Sequence, residues 1–275
     1  MKRITFQTGG PSAHLEITYA NPNVLCAGSA GRVEQVARYL DNPEVTEGVP
    51  GDGGRKHTTV HGMYKGIPVT AFSTGMSPGS VSITLPEVIE ACPDKDMTVL
   101  RLGTSGGLHP ATKVGDYVVT TEVDRRESTS NWIMGNDYVA RASPEAVETL
   151  QALAEGMKLP GQDAHVGPSM VVDELYCSNI WLRDQYKGNE ARRQAEIPDV
   201  LAVSMEFSVI CAFRDFYAQD GDKDIKAGNL LVVSDLPLST EERVDQTDFK
   251  AREAAIEKRH IEIGLETLVR LSQQR

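Results

Sequence analysis

Positive charge, cysteine and long apolar runs are all in short supply in this chain, and each shortage removes a class of function. Lys and Arg total 28 against 39 Asp and Glu, a net charge of −11. That balance argues against a nucleic-acid partner, although a small anionic substrate needs only a local positive pocket. The four cysteines, Cys26, Cys92, Cys177 and Cys211, stand far apart without paired metal-ligand spacing. They read as reduced thiols, so neither a metal site nor a disulfide framework is expected. Nothing is long enough to span a bilayer, and the opening MKRITFQTGG has no apolar signal stretch. No internal repeat, low-complexity stretch or linker stands out. The expectation is a single domain over residues 1–275, cytoplasmic, with no membrane partner.

What is present is ordinary globular composition, 40% apolar and 24% charged in 275 residues, enough for a substantial core. Residues 23–28 (NVLCAG) read as a short strand entering a glycine turn. A helix then follows with Val33, Val36, Ala37 and Leu40 on one face. Residues 44–57, rich in Gly, Pro and charge, read as a loop. Further strands are expected at 67–74, 98–102, 116–123, 200–205 and 229–234, with a helix after residue 80 through Ile83, Val88 and Ile89. Ser143-Pro144-Glu145 marks a helix start, with a capping hydroxyl, a first-turn proline and an early acid. An apolar helix is expected at 207–217 and a long amphipathic one from about Thr247. Strands alternating with helices indicate an α/β fold, a three-layer α/β/α domain around a largely parallel or mixed sheet.

In such folds ligands bind beyond the carboxyl ends of strands. Arg101 is the most telling residue there: a permanent cation closing the apolar run 97–100, followed at once by Gly103-Thr104-Ser105-Gly106-Gly107. A buried guanidinium cannot shed its charge and must be answered by an anion or a carboxylate. The glycines and hydroxyls read as a turn that helps to seat phosphate or sulfate; the alternative is a structural ion pair with Asp or Glu. Gly28 to Arg32 joins a strand to a helix N-terminus, either an anion site or ordinary turn chemistry. Glu206 is either a ligand-facing carboxylate or a helix N-terminal acid, and Asp235 either a cap or a proton donor. Two anion-competent turns and two strand-end acids suggest a phosphate handled beside a hydroxyl-rich group. Glu206 suits paired sugar hydroxyls, and a buried Asp235 suits protonation of a departing heterocycle.

From about His14 to the last helix the chain resembles the nucleoside phosphorylase superfamily that contains uridine phosphorylase and hexameric purine nucleoside phosphorylase. The resemblance rests on GMYKGIPVTAFSTGMSPGSVSITLPEV, RLGTSGGLHPATKVGDYVVTTEV and the spacing between them. It implies cleavage of an N-glycosidic bond with inorganic phosphate as co-substrate and no metal or organic cofactor. It places Gly28, Arg32, Arg101 and Thr104 on phosphate, joined by Arg55 from a neighbouring subunit. Met205 and Glu206 fall on the ribose, with His14 donated across the same interface to the 5′ hydroxyl. Ser105, Gly106, Leu175, Tyr176, Asn179 and Asp235 fall on the base, and Asp235 and Arg101 carry the catalysis. The implied assembly is a homodimer unit with shared sites, built up to a hexamer in relatives.

Ser77 stands where the family usually has glycine, and Ser204 where it has a ribose-contacting glutamate. Val233-Ser234-Asp235 resembles the purine enzymes, whose aspartate protonates the base, with Arg243 the nearest assisting arginine. Asn179 and Trp181 are nearest to the Gln and Arg with which uridine enzymes read uracil, and cannot reproduce that fork of donors. Purine is therefore favoured over uridine. The run LLVVSDLPLSTEERVDQTDFK also resembles AMP nucleosidase, a hydrolase of the same superfamily. Arg32, Arg55 and Arg101 together favour phosphate over water as nucleophile. A non-catalytic nucleoside binder is the third reading.

Overall fold

In a computed structural model that describes residues 12–47, 57–239 and 247–274, the apolar segments pair into one nine-stranded sheet. The strands are β1 Asn23–Ala27, β2 Asp41–Glu47, β3 Thr58–Tyr64, β4 Ile67–Ser73, β5 Asp96–Gly107, β6 Tyr117–Arg126, β7 Ala164–Val172, β8 Ala202–Ser204 and β9 Asp224–Asp235. The helices are α1 Ala30–Ala37, α2 Pro78–Ala91, α3 Thr129–Met134, α4 Pro144–Met157, α5 Tyr176–Tyr186, α6 Glu190–Glu196, α7 Phe207–Gln219 and α8 Thr247–Ser272.

The sheet order is β2-β3-β4-β1-β5-β8-β7-β6-β9, and β9 pairs back onto β5, so five strands close into a ring at one end. The sheet is mixed. β1 runs parallel to β4 and β5, and β9 parallel to β5, while β3 is antiparallel to both β2 and β4. Helices cover both faces. One core gathers Phe72, Leu85 and Ile89 with Phe207 and Ile210 of α7; the other gathers Val33, Leu150 and the α8 residues Ile261, Leu265 and Leu268. Each fully buried side chain of this size stabilises the fold by about 1.5–3 kcal/mol before entropy is set against it. The result is the α/β/α layering expected from the alternation of elements.

Four local expectations are corrected. Residues 41–47 form β2, where a loop was expected from 44 onward; residues 48–56 lie outside the described ones. β2 is the outermost strand, and its Pro43 and polar residues suit an edge that must not pair further. α1 stops at Ala37, so Leu40 is buried just beyond the helix. β8 spans only Ala202–Ser204 of the expected 200–205. Ser143 does precede α4, but its hydroxyl does not cap the helix. It accepts the Ala227 N–H at 2.9 Å, and so ties the helix start to β9. At the start of α2, Ser77 does cap, accepting the Ser80 N–H at 3.2 Å from a backbone with φ of 105°. That conformation belongs to glycine, which explains the residue usual there in the resembled family. Among the described residues no helix is long and apolar enough to cross a membrane.

Candidate active site

The strand carrying Arg101 does not turn where its glycines begin. β5 continues through Gly107, in parallel register with β9 from Asp96 opposite Asp224 to Ser105 opposite Val233, and its last two residues pair with β8. The expected anion-holding turn is therefore strand. Its glycines serve close approach instead of bending: a Cβ on Gly103 would overlap the Arg101 guanidinium, and one on Gly106 would lie 2.7 Å from Pro237 Cγ. Residues two apart share a strand face, so the Arg101 side chain can lie back along β5 over Gly103.

Arg101 is 3% exposed and Glu206 4%. Glu206 sits at the N-cap position of α7 without capping it. Its carboxylate takes a short ion pair from Arg101 Nη2 and accepts the Met205 N–H at 3.2 Å. Arg101 Nη1 donates to Asn229 Oδ1 at 3.2 Å, while its Nε has no partner. The structural carboxylate and the spare donor, alternatives in the sequence, thus coexist on one residue. Opposite Arg101 on β1 lies Cys26, whose thiol burial pushes up to about 12, with Arg101 pulling it down and Glu206 adding to the rise. Such a thiol is inert.

Arg32 occupies the first turn of α1, where Ser29 Oγ accepts its backbone N–H at 3.3 Å. Its guanidinium is not free: Nε reaches Glu257 Oε1 of α8 at 2.5 Å, and Nη1 donates to Leu102 O at 3.0 Å. Glu257 was not anticipated. Nothing in the sequence separates it from the other acids of α8.

A cavity of about 470 Å³ opens at these strand ends. The β1–α1 turn contributes Gly28, Ser29 and Arg32, and β5 contributes Arg101 with Gly103, Thr104, Ser105 and Gly106. β8 and the residues after it add Ser204, Met205 and Glu206; the end of β9 adds Ser234, Asp235 and then Pro237; α5 and its cap add Asn179 and Leu175. Asn179 Oδ1 and Ser204 Oγ are buried without partners. Asp235 is exposed, not buried as expected, because it lies past the regular β5–β9 register, and its Oδ1 accepts the Leu236 N–H at 2.8 Å.

Tyr176 does not line the cavity; it is 77% exposed. Leu175 and Asn179, four apart, share a face of α5, while Tyr176 is turned about 100° away. His14 also stands apart, with Nδ1 2.6 Å from Glu87 Oε1 and its backbone N–H on the same carboxylate. Trp181 lines a separate cleft with Cys177 and Ser178, with Arg126 5.2 Å from its ring centre. Arg55 and Arg243 lie outside the described residues. The carboxylate–imidazole cluster found among the described residues, Asp116 and Asp163 just before β6 and β7 with His165 of β7, lies outside the cavity. There Asp116 already accepts from the Lys113 and Asp163 N–H groups and contacts His165 Nε2, each at 2.9 Å.

Known proteins share this arrangement of sequence and fold. The sequence model of the phosphorylase superfamily matches residues 23–270. Uridine phosphorylase of Haemophilus influenzae is 28% identical over 248 residues, spanning 86% of this chain and 93% of that protein. Purine nucleoside phosphorylase of Plasmodium vivax is 26% identical over 273 residues, spanning 97% of this chain and 99% of that protein. Among solved structures, purine nucleoside phosphorylase from Toxoplasma gondii in complex with immucillin-H has the same fold. Its TM-score is 0.76 at 21% identity, covering 98% of this chain and 100% of that one. With a match running from β1 into the last turns of α8, the chain belongs to the phosphorylase superfamily.

Proposed function

We propose that this chain is a nucleoside phosphorylase. It splits the N-glycosidic bond of a ribonucleoside with inorganic phosphate, releases the free base and ribose 1-phosphate, and prefers purines. The observation that carries the reading is Arg101: a buried permanent cation, with an unpartnered Nε, lining one cavity together with Arg32. An oxyanion is the ligand that such a group answers. Glu206 supports a sugar beside it, since a carboxylate accepts from paired hydroxyls. Asp235 on the same cavity supports a purine, whose ring nitrogen takes a proton as it leaves. The relatives named above support the reaction type and include both base classes.

In this scheme a phosphate oxygen held by Arg101, Arg32, Thr104 and the Gly28 turn attacks the anomeric carbon. The C–N bond breaks with its electron pair going to the base, and Asp235 supplies the proton. Holding both reactants in one site is worth up to about 7–11 kcal/mol in favourable model systems. The phosphate charge stabilises the oxocarbenium-like sugar, and general acid catalysis adds roughly 100- to 10,000-fold. No metal or organic cofactor enters. We place the enzyme in the cytoplasm, as a homodimer unit in which a neighbour supplies Arg55 and His14, assembled further into a hexamer.

Inosine, guanosine, adenosine and uridine, each with and without phosphate, test the proposal by chromatography of the products. Base release only with phosphate, ribose 1-phosphate as co-product and purine nucleosides ahead of uridine are expected. Free ribose without phosphate would identify a hydrolase, uridine as the best substrate would reverse the base assignment, and binding without base release would identify a binder.

A further inference from the structure

We infer that Asn229 is a positioning residue for Arg101, itself held in orientation by a hydrogen-bond relay through Thr120 and Ser169. The inference rests on the phosphorolytic reading above. Asn229 stands on β9 directly opposite Arg101 of β5 and is fully buried, as are Thr120 of β6 and Ser169 of β7.

The direction of the relay follows from what each group can do. Arg101 only donates, so the amide oxygen of Asn229 must face it, as it does at 3.2 Å. The amide nitrogen then faces away, donating to Thr120 Oγ1 at 2.8 Å. Thr120 Oγ1 therefore accepts from Asn229 and commits its one proton to Ser169 Oγ, 3.2 Å further on. If Asn229 flipped, its NH₂ group would point at a guanidinium and its oxygen at a hydroxyl whose proton is already engaged.

Burying three neutral polar side chains is unfavourable where apolar ones would pack, unless the arrangement does something else. What it does is aim one guanidinium. Glu206 holds Nη2 and Asn229 holds Nη1, which fixes the plane of the guanidinium at the cavity that Arg101 lines, while Nε has no partner. The neutrality of Asn229 matters as much as its geometry. An aspartate in its place would keep an acceptor against Nη1 but add a second anion beside Glu206, leaving the cluster net negative and repelling phosphate. An amide orients Arg101 without adding negative charge to its pair with Glu206.

The test is kcat, phosphate KM, nucleoside KM and Tm for the full-length enzyme and for Asn229→Leu, Asn229→Asp, Thr120→Val and Ser169→Ala. Phosphate KM is expected to rise roughly 10- to 100-fold in Asn229→Leu, the worth of one hydrogen bond to a charged group, and at least as far in Asn229→Asp. Thr120→Val should move it roughly 3- to 10-fold in the same direction, and nucleoside KM should stay within about threefold throughout. Thr120→Val and Ser169→Ala each remove a single hydroxyl with little change of shape, so they carry the test if the Asn229 variants do not fold. An unchanged phosphate KM in the folded variants, or a Tm loss with both KM values moving together, overturns the inference. Failure of the underlying reading looks different: the unmodified enzyme then needs no phosphate, and the inference falls with it.

Discussion

A guanidinium can lie along its own strand only where the next residue on that face has no side chain. Gly103 is that residue for Arg101: a methyl group there would overlap Nη1 and Cζ. A free arginine would swing aside, but this one is fixed by Glu206 and Asn229 in the interior. Gly103→Ala must therefore evict the guanidinium from both partners. Breaking a buried pair costs about 3–5 kcal/mol, whereas Gly→Ala at an unstrained site typically returns only about 0.4–1 kcal/mol through the unfolded chain. Urea unfolding should show Gly103→Ala less stable by about 2–4 kcal/mol. Gly156→Ala, in α4 with nothing within 4 Å of the new methyl, should be more stable by about 0.5–1 kcal/mol. Equal stability of the two variants would mean that Arg101 is not held over Gly103.

At the scale of elements, α8 both packs and ties down the site. Glu257 holds Arg32, and fully buried His260 sets Nε2 2.9 Å from Leu230 O while Nδ1 has no partner. Burial first, then the charges of Arg32 and Arg101, push the His260 pKa down to about 3. An unfolded histidine titrates near 6.5, so between these values only the unfolded chain binds the proton. Stability is then fully present above about pH 6.5 and falls by about 1.4 kcal/mol per pH unit below it. His61 and His109, also lowered by burial, act in the same direction, so the comparison must isolate His260. Between pH 6.5 and 5, the wild type should lose about 2 kcal/mol more unfolding free energy than His260→Gln, which keeps an N–H donor. Parallel urea-stability curves would refute a neutral, buried His260.

The same elements show why some of the fold and site could be read from sequence. The patterns of α8, α4, α7 and β4 are set by their own periodicity, and each was legible. β5 beyond residue 102 was not, because Gly and Ser signal turns locally, whereas here they make room for Arg101 and Pro237. β7 was missed because its Gly167, Pro168 and Ser169 interrupt the apolar run, though Ser169 is buried. Arg101, Glu206 and Asp235 were visible as charges closing apolar runs. Their partners were not: Asn229 meets Arg101 across 128 residues and Glu257 meets Arg32 across 225, distances over which local pattern carries no signal.

For the whole molecule, the charge balance of the cavity sets the last question. Its two arginines are each already paired with a carboxylate, Arg101 with Glu206 and Arg32 with Glu257, in a chain of net charge −11. A phosphate dianion entering so balanced a site requires further positive charge, which under the proposed assembly is Arg55 of a neighbouring subunit. Co-expressed Arg55→Ala and Arg101→Ala chains test that assembly without any structure of the dimer. Each variant alone should be nearly inactive, because every site carries its lesion. In a mixed dimer the site on the Arg55→Ala chain keeps its own Arg101 and receives an intact Arg55 from its neighbour, while the other site carries both lesions. Random pairing makes half the dimers mixed, with one complete site in two, so about a quarter of wild-type activity should return. If Arg55 serves its own chain instead, neither site of the mixed dimer is complete and no activity returns.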